Sequence, residues 1–431
     1  MLKTIRKAWG IEELRRKMIF TLIILILYRL GNSIPVPYVD TELLRSYFSS
    51  VENTALGLMN TMSGGSLSYA TIFALGIQPY ITSSIIIQLL TIAIPALERL
   101  QRDGGEDGKK KLTAITRYAT LAISLLLGFS YYYILSANSL LTADAEGILP
   151  LIIILLSFSA GSCLLMWMGE QITEFGVGNG ISIILFAGIV SRLPSTIYTA
   201  GTNLLNGTLK WYVAVLVLIG ALAMIVLIVI ISNSERRIPV QYSKRVVGRK
   251  MYGGQSTHLP IKLNMSGVMP IIFAQSIASL PATIASFANP ADGTFWYKFL
   301  HAINTDTLVY AIIYLLLIIF FSYFYAAIQF NPIEVANNLK KNGGFIPGFR
   351  AGKPTSEYIQ RVLSKVTIFG AIYLAVIAVA PIIIGVFSDL AKQTGISLGG
   401  TSIIIVVGVA LETVKSLESQ MLMRHYKGFL E

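Results

Sequence analysis

Few residues in this chain have the type and spacing to do covalent chemistry. The stretch "AGKPT" (351–355) carries the Gly-Lys pair of a phosphate-binding loop, but Pro347 stands where that loop opens with glycine. Pro354 takes the place of its serine or threonine. "GVGNG" (176–180) is too short for a dinucleotide fingerprint, and no HExxH occurs. The three histidines, His258, His301 and His425, lie far apart in loops or at the tail, where a solvated imidazole is the ordinary state. The single cysteine, Cys163, sits inside an apolar run, which rules out a disulfide framework or a multi-cysteine metal site within the chain. Its ordinary role is that of a small apolar residue. A carboxylate in the middle of a membrane span costs about 2.5–3.5 kcal/mol and is kept for function. No Asp or Glu occupies such a position; Glu412 and Lys415 lie near one end of the last apolar run, within reach of the headgroups. The chain is therefore predicted to hold no catalytic residues, no metal and no cofactor. An ion-coupled secondary transporter stays open as an alternative, but it would need a midplane site, and a neutral conduit fits better.

The elements that position these residues are membrane spans. Of 431 residues, 54% are hydrophobic and 13% charged, and the mean hydropathy is +0.67. Helices satisfy their backbone polar groups inside lipid and open sheets do not, so recurring apolar runs of about 20 residues predict a polytopic helical protein. Ten runs are read, at 18–34, 72–94, 116–135, 148–168, 180–198, 211–231, 266–287, 308–329, 366–388 and 401–417. The first follows Lys3, Arg6, Lys7, Arg15, Arg16 and Lys17 like a signal sequence, but no small-x-small cleavage site comes after it, so it is read as a retained span. "IEELRRK" before it is either a helix on the membrane surface or a solvated leader. Lysine and arginine fix orientation. The side holding the N-terminus carries 28 of them and the other side five: Arg45, Arg192, Lys210, Lys298 and Lys392. Both termini are predicted to be cytoplasmic.

The formal charge of +12 is thus concentrated in cytoplasmic loops. Topology and anionic lipid account for much of it. Two loops, 232–262 and 330–365, are longer than neighbouring spans require and mix Arg and Lys with Tyr, Phe and Gly; such loops are suited to an acidic protein or an RNA-rich particle. Ten spans divide into halves of five, and an odd number per half turns the second upside down relative to the first. "GVGNGISIIL" opening span five and "SLGGTSIIIVV" opening span ten are weakly alike, as that plan requires. The halves are placed at 1–200 and 201–431.

Four stretches carry a family resemblance: "FALGIQPYITSSIIIQLL", "SERRIPVQYSKR", "GVGNGISIILFAGIV" and "GGFIPGFRAGKPT". In this order they resemble the SecY family of protein-conducting channel subunits, and the resemblance covers essentially the whole chain. It implies an all-α membrane protein with ten transmembrane helices in two inverted five-helix halves around a central hourglass pore. The implied function is passage of unfolded secretory polypeptides, with a lateral opening that releases apolar segments into lipid. Implied partners are SecE, SecG, the ATPase SecA, the ribosome, nascent chains and membrane lipids, and the implied site is a bacterial cell membrane. Residues from about 54 to 67, including Met59, Met62, Gly64 and Gly65, match the family's plug. Ile81, Ile85, Ile181, Leu185, Ile272 and Ile405 match its constriction ring. Spans two and three against seven and eight would form the lateral gate, with Gln88, Thr91, Gln275 and Ser276 along the seam. Arg236, Arg237, Lys244, Arg245, Arg249, Lys250, Lys340, Lys341 and Arg350 would meet SecA or the ribosome.

Overall fold

The structure is a computed structural model that describes residues 2–50, 55–102, 104–145, 147–207, 210–242, 245–247, 250–252, 256–265, 267–279, 281, 307–387 and 400–427. Thr54, Lys244, Arg249, Lys298, His301 and Lys392, each given a role or a place above, lie outside the described residues.

Every predicted run contains a described helix. These are Glu12–Gly31, Gln78–Ala93, Gly105–Ala137, Ile148–Phe175, Gly180–Leu205, Trp211–Asn233, Met269–Ala278, Leu308–Gln329, Lys353–Phe387 and Gly400–Lys427, called spans one to ten below. Among the described residues seven helices are long and apolar enough to cross a bilayer. Span two joins them as an eighth if it is counted with the following helix Pro95–Gln101, from which it is bent by 105°. The bend falls at Ile94, in extended backbone ahead of Pro95, where a proline forces the residue before it out of helical geometry. Span one carries Glu12, Glu13, Arg15, Arg16 and Lys17 in its first turns and is apolar only beyond them. Of the predicted seventh run, 282–287 lie outside the described residues.

Local chemistry sets the helix starts. Pro79 occupies the first turn of span two, where its missing N–H costs nothing, so the helix opens at Gln78 rather than at Ile72. Asn179 caps span five by accepting from the N–H groups of Ile181 and Ser182 at 3.1 and 3.3 Å. Thr307 caps span eight in the same way, accepting from Tyr310 N–H.

Spans two, three, four and five pack in succession, with span one against four and five; spans seven, eight, nine and ten pack likewise. The two sets meet where span two touches span seven and span five touches span ten. One large aliphatic and aromatic core fills that junction, drawing on Ile81, Ile184, Leu185, Ile272, Phe273, Ile318 and Ile405 among others. A second core holds residues of 36–48 and 56–75 against spans three and four through Leu44, Phe48, Leu67, Tyr131 and Phe158. Span six is bare by comparison: Val213 and Ile228 are its buried residues.

Alternation along "ERRIPVQY" buries Ile238 and Val240 and exposes Arg236 and Arg237, the period of a half-buried strand. The first basic loop therefore folds as strand β1 (Glu235–Tyr242) and, after β2 (Arg245–Val247) and β3 (Lys250–Tyr252), returns as β4 (Ser256–Lys262), antiparallel to β1. From the second basic loop β5 (Gly344–Phe345) adds to the other edge of β1, pairing Gln241 with Phe345. The two loops, treated separately in the sequence, share one small core of Ile238, Val240, Ile261, Leu339, Ile346, Ile359 and Leu363, the last two from the opening turns of span nine.

Candidate functional site: an aliphatic waist between two cavities

Ile81 and Ile85 lie four apart on span two and so share a face. Both are buried, and they join Leu185, Ile272 and Ile405 in the central core, with Ile181 packed against it. Side chains from spans two, five, seven and ten thus share one core although they are far apart in sequence; Ile81, Ile181, Leu185 and Ile272 also line one cavity, which Ile85 and Ile405 do not. Ile181 stands at the rim: a Cβ on Gly169 of span four would lie 2.6 Å from its Cδ1, so the isoleucine fills the space that the glycine leaves.

This cavity has a volume of about 450 Å³. Ile81, Ile181, Leu185 and Ile272 form its apolar floor, while Ser84, Gln88, Arg117, Glu170, Glu174 and Asn179 supply polar wall. Arg117 reaches Glu170 with two parallel bonds, Nε to Oε1 at 3.1 Å and Nη2 to Oε2 at 2.8 Å, tying span three to span four. Leu185 also borders a much smaller void of about 10 Å³, bounded besides by Tyr28, Met62, Ser63, Gly76 and Ile184. Leu185 lines both cavities, so they share an aliphatic wall at that side chain. These groups neither donate nor accept hydrogen bonds, and a narrow passage lined by them tends to empty of water and exclude ions.

Above the small void sits the helix Ala55–Met62. Met62 packs on the central core and Met59 on the second core, so this short helix bridges the two. Gly64 and Gly65 follow it with φ of +73° and +88°, backbone that residues with a Cβ seldom adopt. Tyr28 Oη of span one donates to Ser63 O at 3.3 Å. Tyr131 Oη of span three donates to Leu67 O at 2.6 Å.

Along the seam between spans two and seven to eight, polar bonds cross at two levels. Tyr325 Oη of span eight donates to Gln88 Oε1 at 3.0 Å, and Gln78 Nε2 donates to Ser276 Oγ of span seven at 3.2 Å. Thr91 turns to its own helix, donating to Gln88 O at 2.7 Å. Gln275 is buried, and its Oε1 has no partner among the described residues. The sequence reading named Gln88 and Ser276 but missed the residues they meet, Tyr325 and Gln78. No local pattern marks such partners, since 237 and 198 positions separate the pairs.

Arg236, Arg237, Lys340, Lys341 and Arg350 are exposed on the core that the two basic loops share, with Arg237 Nε 2.7 Å from Glu235 Oε1. Arg245 and Lys250 fall on β2 and β3, where Val247 pairs with Lys250. Arg350 lies just ahead of span nine, its carbonyl accepting from Thr355 Oγ1 at 2.7 Å.

Fold and site together define a multi-pass membrane protein built around an apolar constriction, the architecture of a channel rather than of a substrate pocket. Residues 71–414 match the family model described as SecY. Over the full length of both chains, 42% of residues are identical to the protein translocase subunit SecY of Streptomyces coelicolor. The same figure holds over 97% of each chain for its counterpart in Mycobacterium tuberculosis H37Rv. The chain belongs to the SecY family. Among solved structures, one described as the structure of a protein conducting channel shares the fold at a TM-score of 0.65 and 17% identity, covering 95% of this chain and 93% of that one. Sec61 in the canine ribosome-channel complex gives a TM-score of 0.62 at 15% identity, covering 95% and 93%.

Proposed function

We propose that this chain is the pore-forming subunit through which unfolded secretory polypeptides cross the membrane, with apolar segments leaving sideways between spans two and three and spans seven and eight. The observation that carries this reading is the aliphatic layer of Ile81, Ile181, Leu185 and Ile272 lining the larger cavity, with Leu185 also facing the small void. The layer holds no carboxylate or amide that would select one solute. β-Branched side chains have few χ1 states, so the ring yields to a passing chain and returns to one packing. The helix Ala55–Met62 serves as the plug, hinged at Gly64 and Gly65. Gln88, Gln275, Ser276 and Thr91 set how readily the gate parts.

In this reading the halves 1–200 and 201–431 are inverted repeats, and both termini and the two basic loops face the cytoplasm of a bacterial cell. SecE and SecG complete the channel, SecA drives export from the exposed arginines and lysines of the loop core, and the ribosome docks there during insertion. Arginine suits such contacts because its planar guanidinium can make several bonds at once.

The test begins from Cys163→Ser, which leaves no native cysteine. Single cysteines at Ile81, Ile181 and Ile405 are then challenged with a stalled secretory chain carrying its own cysteine. Disulfides from all three, and none from lipid-facing controls, are expected. An engaged chain that crosslinks to none of them would return the pore to the transporter alternative.

A further inference from the structure

Orientation does not explain Arg192. It is one of only five cations on the side with few of them, and it sits on span five rather than in a loop. Its Nη1 donates to Thr61 Oγ1 at 2.8 Å, joining span five to the last turn of the helix Ala55–Met62 across 131 positions of sequence. Thr61 is buried, and its hydroxyl in turn donates to Gly57 O at 2.9 Å, so the acceptor is held in place. A cation at this end of a helix also meets the negative pole of its dipole.

The surface around the bond is moulded to the same contact. Gly188, Ser191 and Arg192 fall three and four residues apart, on one face of span five. A Cβ on Gly188 would lie 2.7 Å from Met62 O, and one on Gly64 would lie 3.1 Å from Gly188 O, so the two backbones touch. Arg29 Nη1 of span one donates to Ser191 Oγ at 3.3 Å, bringing a second guanidinium to the seam.

We propose that Arg192 is a positioning residue that latches the plug. This rests on reading residues 54–67 as the plug. The apolar packing of Met59 and Met62 is broad and non-directional, whereas the Arg192–Thr61 bond is directional and ties a side chain of the helix tip to span five, beside the bond from Tyr28 Oη to Ser63 O just past it. When a polypeptide enters from the waist, this bond breaks and the helix swings on Gly64 and Gly65; when the chain has passed, it forms again and reseats the helix.

The test reconstitutes the full-length channel complex in proteoliposomes and follows potassium efflux with no secretory chain present. Arg192→Leu and Thr61→Val are each expected to raise the idle leak about tenfold, the factor to which 1.4 kcal/mol corresponds. The double variant should leak no more than either single one, because both remove the same bond. Arg192→Lys, which keeps the charge but not the geometry, should fall between. Deletion of 55–62 is the control for the plug itself. Efflux at the wild-type rate in both single variants, with a leaky deletion, overturns the latch and leaves the plug reading standing. A deletion that does not leak overturns both. Thr61→Val is nearly isosteric and carries the test if Arg192→Leu fails to assemble; additive leaks in the double variant also overturn the latch.

Discussion

Replacing Tyr325 with phenylalanine should lower the hydrophobicity a segment needs to leave the channel sideways. The change removes the hydroxyl that donates to Gln88 Oε1 at 3.0 Å and keeps the ring, which packs against Phe273 with centroids 5.1 Å apart. Gln88 lines the large cavity, so its freed oxygen can turn to water and no orphaned buried acceptor exaggerates the effect. Hydrogen bonds between helices within a membrane average about 0.6 kcal/mol and reach roughly 1.7. Each leucine at the centre of an inserting helix contributes roughly 0.3–0.6 kcal/mol. Loss of the bond should therefore move the insertion midpoint toward fewer leucines, by about one to two for an average bond and up to about six for the strongest. The assay scores insertion against full translocation for a 19-residue-window series of alanine segments with increasing leucine content. Ser276→Ala removes the second crossing bond, at Gln78, ten positions and about 15 Å along span two. At that separation the two shifts should add. An unchanged midpoint in Tyr325→Phe, or a shift toward more leucine, would refute the view that these bonds hold the gate.

Two further changes test the partner surface and the packing. Arg350→Glu should stop SecA-driven export while the chain still assembles with SecE, as read by ATP-dependent uptake of a secretory precursor into vesicles and by co-purification of the complex. Gly161→Ala should lower the midpoint of thermal unfolding in detergent at a cost of about 1–3 kcal/mol, as overpacking does elsewhere. The new Cβ would run into Ile72 O, backbone that cannot step aside without moving the segment that leads into span two.

Legibility in the sequence followed the range of the forces involved. Apolar runs and proline rules are local, and each of the ten predicted runs holds a described helix, span two among them. Pro79 marks the true start of that span because its ring and missing N–H act on adjacent residues only. The β1 strand also had a local sign, the alternation of Ile238 and Val240 with exposed neighbours, but it was masked by the arginines and lysines that mark the loop as basic. The union of the two basic loops had none, because Ile238 meets Ile346 and Leu363 only after two spans have been threaded between them. The same holds for Tyr325, Gln78 and Arg192. Each is an ordinary residue on its own helix, and its partner comes from a helix elsewhere in the chain.

Span nine runs unbroken from Lys353 to Phe387, 35 residues and about 52 Å of helix. A bilayer's hydrocarbon core takes up about 30 Å of that length. The remainder stands outside as a rod whose first turns are clamped, through Ile359 and Leu363, to the same core as β1 and β4. Leu263, just after β4, donates its N–H to Ser234 O at 3.0 Å, and Lys415 of span ten donates to Ser232 O at 3.2 Å, so the base of the hairpin is fastened to two further spans. Force applied to the basic surface is therefore not dissipated in slack loops. Any displacement of this core would be carried into spans six, nine and ten together, so it is placed to work as a short lever arm on them.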